Sequence, residues 1–309
     1  MDKTVFTNNP LNRSSHLRND IAWLDSIKKD LNTSYIVFSK GKPLIIPNQN
    51  PSNNSEIKFL NFNQISNLIN NKTYVVFLGL LNNKAYFGVD LSYIENIKEN
   101  SQLIEGSKFI DVRSIAPNLS TENAGILAQT KSMIEWNSAY VYCSKCPGAK
   151  LENKDSGYKK LCNSCKTEYF PRVDPVVIML PTYNDKCLLG RQKIFPPRMY
   201  SALAGFLEPG ETIEEAVKRE VQEESGLKVL DVKYKFTQPW PFPFQLMIGC
   251  LAGVEGDKFQ LDEELEDAIW LSREDLNRVF VGKSPQRIWI PPAMAIAHQL
   301  IIYWMHNKN

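Results

Sequence analysis

The segment from Gly205 to Leu227 constrains this chain more than any other, because it specifies a helix together with both of its ends. Thr212 followed by Glu215 is a capping-box pair, which predicts a helix from about Ile213. Gly226 suits the left-handed residue that closes it, so the helix runs for about three turns. Ile213, Ala216, Val217 and Val221 form an apolar stripe able to pack on a sheet. Glu220, Glu223 and Glu224 fall at i, i+3 and i+4, so their carboxylates converge on one patch. Three like charges held together need a counter-charge, and for oxygen ligands Mg²⁺ or Mn²⁺ is the natural one. Arg219 can reach back to Glu215 or forward to Glu223, and the Gly205 to Gly210 loop lets the backbone approach such ions closely. A solvated acidic face is the competing reading. It accounts for Glu214 and Glu215 but not for the whole arrangement.

A second local constraint comes from four cysteines. Cys143 and Cys146 form one CxxC pair, and Cys162 and Cys165 form another after 15 intervening residues. Each pair turns two sulfurs to one side of a tight turn, and two such turns close a tetrahedron around Zn²⁺. Four thiolates leave no position for water, so the expected role is structural, with one zinc per chain. Buried free thiols or two disulfides are the alternatives. Cys187 and Cys250 sit in apolar runs and read as small core residues.

The rest of the chain supplies a frame. Residues 1–118 read as strands, turns and some helix: Tyr35 to Phe38 and Leu44 to Ile46 flank a Lys-Gly-Lys turn, and Tyr74 to Leu78 and Ala85 to Val89 flank Asn82 and Asn83. No catalytic constellation is visible there, so scaffolding or dimerisation is the expected role. Residues 119–170 hold a helix capped by Ser120 or Thr121, running to about Asn137, and then the cysteine module. Residues 171–309 alternate apolar strands with helices, as an α/β sandwich does. At 309 residues the chain can bury separate cores.

With 36 basic and 34 acidic residues the formal net charge is +2, which argues against a polybasic nucleic-acid binder. Asn-rich runs such as Asn48 to Asn54 read as surface loop. No stretch approaches the roughly 18 apolar residues of a membrane span. Met1 to Thr4 opens no signal peptide, and His306 to Asn309 matches no retention or peroxisomal tail. The expected setting is the reducing cytoplasm. Three histidines, His16, His298 and His306, cannot build a histidine-based metal centre, and no Ser/His/Asp constellation presents itself.

The Gly205 to Leu227 segment resembles the Nudix box, G-x5-E-x7-R-E-U-x-E-E-x-G-U with U a bulky aliphatic, at every specified position: Gly205, Glu211, Arg219, Glu220, Val221, Glu223, Glu224, Gly226 and Leu227. Phe170 to Pro175 and the run Thr237-Gln238-Pro239-Trp240-Pro241-Phe242-Pro243, together with the cysteines, are similar to the NADH pyrophosphatase branch of that superfamily, whose tag reads S-Q-P-W-P-F-P. That likeness covers residues 120–305, and Phe6 to Arg13 extends it weakly. It implies an α+β chain: a Nudix α/β/α sandwich with a mixed sheet, preceded by a small zinc ribbon and a β-rich N-terminal domain. It also implies a homodimer and two or three catalytic Mg²⁺ or Mn²⁺ ions. The implied ligands are Glu220, Glu224, the carbonyl of Ala204 and Glu264, with Glu263 the near alternative to the last. Glu223 would orient water or support the metals. Substrate contacts would fall on Phe170, on Gln238, Pro239, Trp240, Pro241, Phe242, Pro243, Phe244 and Gln245, and on Ala297.

Three prolines hold that run extended while Trp240 and Phe242 offer faces to a nucleotide ring, although an aromatic core plug fits the same residues. Three positions depart from the family. Phe170 replaces a frequent tyrosine and keeps the ring but not the hydroxyl, Thr237 replaces the serine of the tag, and Gln245 stands where a small serine is usual. The activity implied is hydrolysis of the diphosphate of NADH or NAD⁺ to AMP and the nicotinamide mononucleotide. Removal of an NAD cap from RNA 5′ ends uses the same bond chemistry. A zinc-ribbon binding module with an inactive Nudix domain is the third reading, against which the intact carboxylates argue.

Overall fold

A computed structural model describes residues 4–48, 54–97, 104–284 and 287–307. Met1 to Lys3, Lys308 and Asn309, and residues 49–53 of the Asn-rich run lie outside the described residues. The chain divides into two compact units, Lys3–Val173 with Trp240–Phe244, and Asp174–Pro239 with Gln245–Asn309.

The first unit is built on a sheet. It contains α1 (Ile21–Lys29), β1 (Ser34–Ser39), β2 (Lys42–Ile46), β3 (Glu56–Ile57), β4 (Phe59–Leu60), α2 (Phe62–Ile65), β5 (Tyr74–Leu81), β6 (Lys84–Asp90), β7 (Lys108–Phe109), α3 (Val112–Ile115) and α4 (Thr121–Ala139). The strand order is β3-β2-β1-β6-β5, with β4 on β1 and β7 on β2. Both expected hairpins form. Lys40 and Gly41 turn between β1 and β2 at φ 50° and 73°, and Asn82 and Asn83 turn between β5 and β6 at φ 49° and 63°. Such positive φ values suit Gly and Asn. The parallel pairing of β1 with β6 joins the two hairpins into one sheet. Tyr35, Phe77 and Phe87 fill its core.

Ser120 caps α4 through its side chain, and the helix packs on β5 and β6. Gly88 permits that approach, since a Cβ there would stand 2.7 Å from Thr130 Cγ2. The cysteine module follows as a three-stranded ribbon of β8 (Leu151–Lys154), β9 (Lys159–Cys162) and β10 (Glu168–Tyr169). Buried Lys160 ties the ribbon to the end of α4, its ammonium donating to the carbonyls of Asn137 and Tyr140 at 2.8 and 2.5 Å.

The second unit contains β11 (Asp174–Tyr183), β12 (Lys186–Gln192), β13 (Leu203–Phe206), α5 (Ile213–Ser225), β14 (Val229–Trp240), β15 (Gln245–Val254), β16 (Leu265–Ser272), α6 (Arg273–Phe280) and α7 (Ile296–His306). Its sheet runs β14-β15-β11-β12-β16 with β13 on β11. β11 pairs in parallel with β15 and antiparallel with β12 and β13, so the sheet is mixed. Successive residues of a strand face opposite sides, and β11 is apolar on both. Val177 and Met179 pack with Ala216, Val217 and Val221 of α5, while Ile178 and Leu180 pack with Leu300, Ile301 and Trp304 of α7. The result is the helix–sheet–helix sandwich with a mixed sheet that the resemblance implies.

Candidate active site

Helix α5 begins and ends where its sequence requires. Thr212 Oγ1 accepts the Glu215 N–H at 3.2 Å, Glu215 Oε2 accepts the Thr212 N–H at 2.7 Å, and Gly226 closes the helix at φ 66°. This reciprocal cap occupies Glu215, so Arg219 does not reach back to it. Of the two expected reaches only the one to Glu223 forms, at 3.0 Å. The main partner of Arg219 is instead Glu211, which takes its Nε and Nη2 at 2.6 and 2.9 Å in a two-pronged pair. The same guanidinium donates to Glu220 Oε1 at 2.7 Å and to the carbonyl of Phe206 at 2.9 Å. It therefore stitches the loop after β13 to the helix. Arg219 and the Glu208 N–H hold the Glu211 carboxyl down at about 2.

The buried face of α5 carries the chemistry. Glu220 and Glu224 are 9% and 2% exposed, whereas Glu223 faces solvent. Burial pushes the Glu220 carboxyl up, and Arg219 opposes that shift. For Glu224, burial first, and then the charges of Glu220, Glu264 and Asp262, push the carboxyl up to about 8, against one hydrogen bond from the Ala204 backbone. Its Oε2 has no hydrogen-bond partner among the described residues. The predicted ligand Glu264 is thus close enough to act on both buried glutamates. Asp262 was not foreseen. Its side chain accepts the N–H groups of Glu264 and Leu265 at 2.9 and 3.3 Å, which orients the turn before β16.

Strand β13 forms the other wall. A Cβ at Gly205 would stand 1.8 Å from Cδ of Glu220, so only glycine lets this carboxylate lie against the strand. An orphaned buried oxygen, with three further carboxylates near it and a bare backbone beside it, is a donor set for a hard divalent cation. These residues fit a divalent cation of the kind Nudix hydrolases use.

In the first unit, Cys143, Cys146, Cys162 and Cys165 gather with their sulfurs within 4.8 Å of one another. All six cysteines are free, so the disulfide alternative does not hold. Cys143 Sγ and Cys165 Sγ stand 3.7 Å apart, close to the edge of a tetrahedron with Zn–S bonds of about 2.3 Å. The set fits zinc, and two of its thiols are eased toward the thiolate while hydrogen bonds within the cluster push Cys146 up. A hydrogen bond with Tyr169 draws the Cys143 thiol down, and hydrogen bonds with Thr167 draw Cys165 down to about 6. Cys187 and Cys250 are fully buried in the sandwich core.

The expected substrate residues are distributed between the units. Trp240, Pro241, Phe242, Pro243 and Phe244 group with the first, as does the exposed Phe170. Trp240 and Phe242 meet Phe6 edge-on, each with ring centroids 5.9 Å away, and meet each other at 5.2 Å. Arg113 lies over the Phe242 ring at 4.3 Å, Arg172 lies over Phe244 at 5.8 Å, and Ser132 donates to the Pro243 carbonyl at 3.1 Å. In the second unit Pro239 is exposed and Gln245 opens β15 opposite Asp174. Gln238 is fully buried. Its amide donates to the Met294 carbonyl at 2.8 Å and accepts the Ile296 N–H at 2.9 Å, which fixes the start of α7 and hence buried Ala297.

Comparison with known proteins gives the chain its relatives. Residues 172–291 match the family described as "NUDIX domain", and residues 32–136 match "NADH pyrophosphatase-like rudimentary NUDIX domain". The chain is 39% identical to human NAD-capped RNA hydrolase NUDT12 over 99% of its own length and 74% of that protein. It is 35% identical to human mitochondrial NAD(P)H pyrophosphatase NUDT13 over 73% of its length and 69% of that protein. NAD-capped RNA hydrolase NudC of Mycobacterium bovis is 32% identical over 63% and 64%. The sequence pattern of the N-terminal half showed its hairpins but not its kinship with the domain that follows. The chain belongs to the Nudix hydrolase family, as an enzyme that joins a Nudix domain to an NADH pyrophosphatase-like rudimentary one.

Proposed function

We propose that this enzyme hydrolyses the diphosphate of NADH or NAD⁺, giving AMP and the nicotinamide mononucleotide. The observation that carries this reading is the buried Glu220 and Glu224 pair, with its unpartnered oxygen and Glu264 beside it. Glu220, Glu224, Glu264 and the Ala204 carbonyl would hold two or three Mg²⁺ or Mn²⁺ ions. Bound there, such ions would neutralise the diphosphate, lower the pKa of a water and stabilise the leaving phosphate. The residues of the chain do the rest. Arg219 holds Glu220 and Glu223 in fixed rotamers, and Gly205 keeps the space against Glu220 clear. Glu223, the solvent-facing carboxylate of the three, would orient the attacking water or support the metals, and a glutamate of this cluster would accept the water's proton. Trp240 and Phe242 supply ring faces for a nucleotide, with Phe170, Gln238, Pro239, Pro241, Pro243, Phe244, Gln245 and Ala297 shaping the substrate contacts. The four-cysteine ribbon holds one structural zinc.

NAD-capped RNA is the second substrate reading. It is supported by the relative aligned over 99% of this chain, which is named as an NAD-capped RNA hydrolase. The three-part division at residues 118 and 170, with residues 1–118 serving dimerisation of a homodimer, belongs to the same proposal. Six free cysteines suit the reducing cytoplasm. No helix among the described residues is long and apolar enough to cross a membrane.

Steady-state kinetics on NADH, NAD⁺, ADP-ribose, diadenosine polyphosphates and NAD-capped RNA test the proposal. Turnover of NADH or NAD⁺ to AMP is expected. Failure on both dinucleotides, with turnover of capped RNA, would replace the first reading by the second.

A further inference from the structure

Around the cysteine cluster two hydroxyl groups take positions that no metal ligand requires. Tyr169 Oη lies 3.2 Å from Cys143 Sγ, 2.9 Å from the backbone nitrogen of Ser144 and 2.9 Å from Ser144 Oγ. The proton assignment follows from what each group can do. The Ser144 N–H only donates, so the tyrosine oxygen accepts there. A zinc-bound thiolate only accepts, so the tyrosine proton goes to Cys143, and the serine hydroxyl donates its own proton to the second lone pair of the tyrosine. At Cys165 the thiol donates to Thr167 Oγ1 at 3.1 Å, a contact that reverses to Thr167 donating once the sulfur is a thiolate. Both hydroxyls come from one short segment that ends in β10, and β10 pairs with β9, which carries Cys162 at its end.

We propose that Tyr169, assisted by Thr167, is an outer positioning residue of the zinc site. It fixes the Cys143 thiolate toward the metal and slows the loss of zinc. The inference rests on the zinc reading above. Groups that donate to first ligands orient them and lower the cost of binding, and their removal typically weakens metal affinity about ten- to a hundredfold. Tyr169 is suited to the task because it is half-buried and its hydroxyl is already held by the Ser144 N–H at 2.9 Å.

The test uses the full chain loaded with zinc, with release followed by a colorimetric chelator in excess. Tyr169→Phe keeps the ring and removes only the hydroxyl, and it is expected to release zinc about tenfold or more faster than the parent chain. Thr167→Val should act in the same direction. Ser144→Ala should have little effect, because the backbone donor to Tyr169 remains. Cobalt substitution gives a readout that a merely structural tyrosine would leave unmoved. Loss of a hydrogen bond to a thiolate should shift the sulfur-to-cobalt charge-transfer band in Tyr169→Phe. A loaded Tyr169→Phe protein with the parent release rate and an unshifted band overturns the role of Tyr169 alone. A parent protein that takes up neither zinc nor cobalt overturns the zinc reading beneath it.

Discussion

A carboxylate oxygen buried without a hydrogen-bond partner is costly, and Glu224 carries one while surrounded by Glu220, Glu264 and Asp262. Nothing in the packing of α5 needs it, since Ala216, Val217 and Val221 already fill the interface with the sheet. Changing Glu220 or Glu224 to Gln should therefore leave the fold intact and lower kcat by about three orders of magnitude, the equivalent of several kcal/mol of charge stabilisation. Near-normal turnover in both variants would make the box ornamental. The metal-free protein adds a pH test. Folding raises the Glu224 carboxyl from the ordinary carboxylate range to about 8. The folded state thus binds a proton that the unfolded state has lost over that interval. The stability tied to this group is full below the ordinary carboxylate pKa and is lost as pH rises through about 8. Melting temperatures in chelator between pH 5 and pH 8 should fall, and Glu224→Gln should flatten the fall; equal slopes would contradict the assignment.

At the scale of elements, what the sequence made legible was local. The capping box and the left-handed Gly226 of α5 each depend on residues within one turn of each other, and both are present; of the three spaced glutamates, Glu220 and Glu224 are buried while Glu223 faces solvent. The pairing of Arg219 with Glu211 was missed because it spans eight residues across a loop. The internal partners of the Gln238 amide lie 56 and 58 residues away, where no local pattern reveals them. The run from Trp240 to Pro243 shows the same limit. Its prolines and aromatics were visible, but the ring of Phe6, more than two hundred positions earlier, was not. Edge-to-face partners are each worth about 0.5–1.5 kcal/mol, so Trp240→Ala should lower the melting temperature whatever the tryptophan does for substrate. Substrate dependence is then the deciding measurement. If Trp240 also stacks a nucleotide ring, kcat/KM for NADH should fall roughly ten- to a hundredfold, in keeping with 1–3 kcal/mol per base, and turnover of a small diphosphate lacking that ring should fall much less. Equal losses on both would leave it a packing residue alone.

Across the whole molecule, on the proposed reading, two metal chemistries are kept apart by ligand type. Soft thiolates in the ribbon and hard carboxylates on α5 draw on different ions, so EDTA should abolish turnover, Mg²⁺ or Mn²⁺ should restore it, and the slowly exchanging zinc should remain through both steps. The choice between a free dinucleotide and a capped RNA is also a property of the whole chain, because it depends on how much phosphate the surface can engage. Each phosphate neutralised by Lys or Arg releases counterions, so log kcat/KM for an RNA held through many contacts should fall steeply with log salt. A dinucleotide presents only its own diphosphate. The 36 basic residues are nearly balanced by 34 acidic ones, and most of the arginines in the second unit already hold carboxylates: Arg191 with Glu266, Arg219 with Glu211, Arg273 with Asp185 and Arg278 with Glu274. A shallow salt slope is therefore expected on both substrates between about 50 and 200 mM salt, the range over which extensive phosphate contacts cost several powers of ten. If the slope for capped RNA is steep and its kcat/KM at low salt far exceeds that for NADH, an RNA track exists, and the capped transcript displaces the free dinucleotide as the substrate.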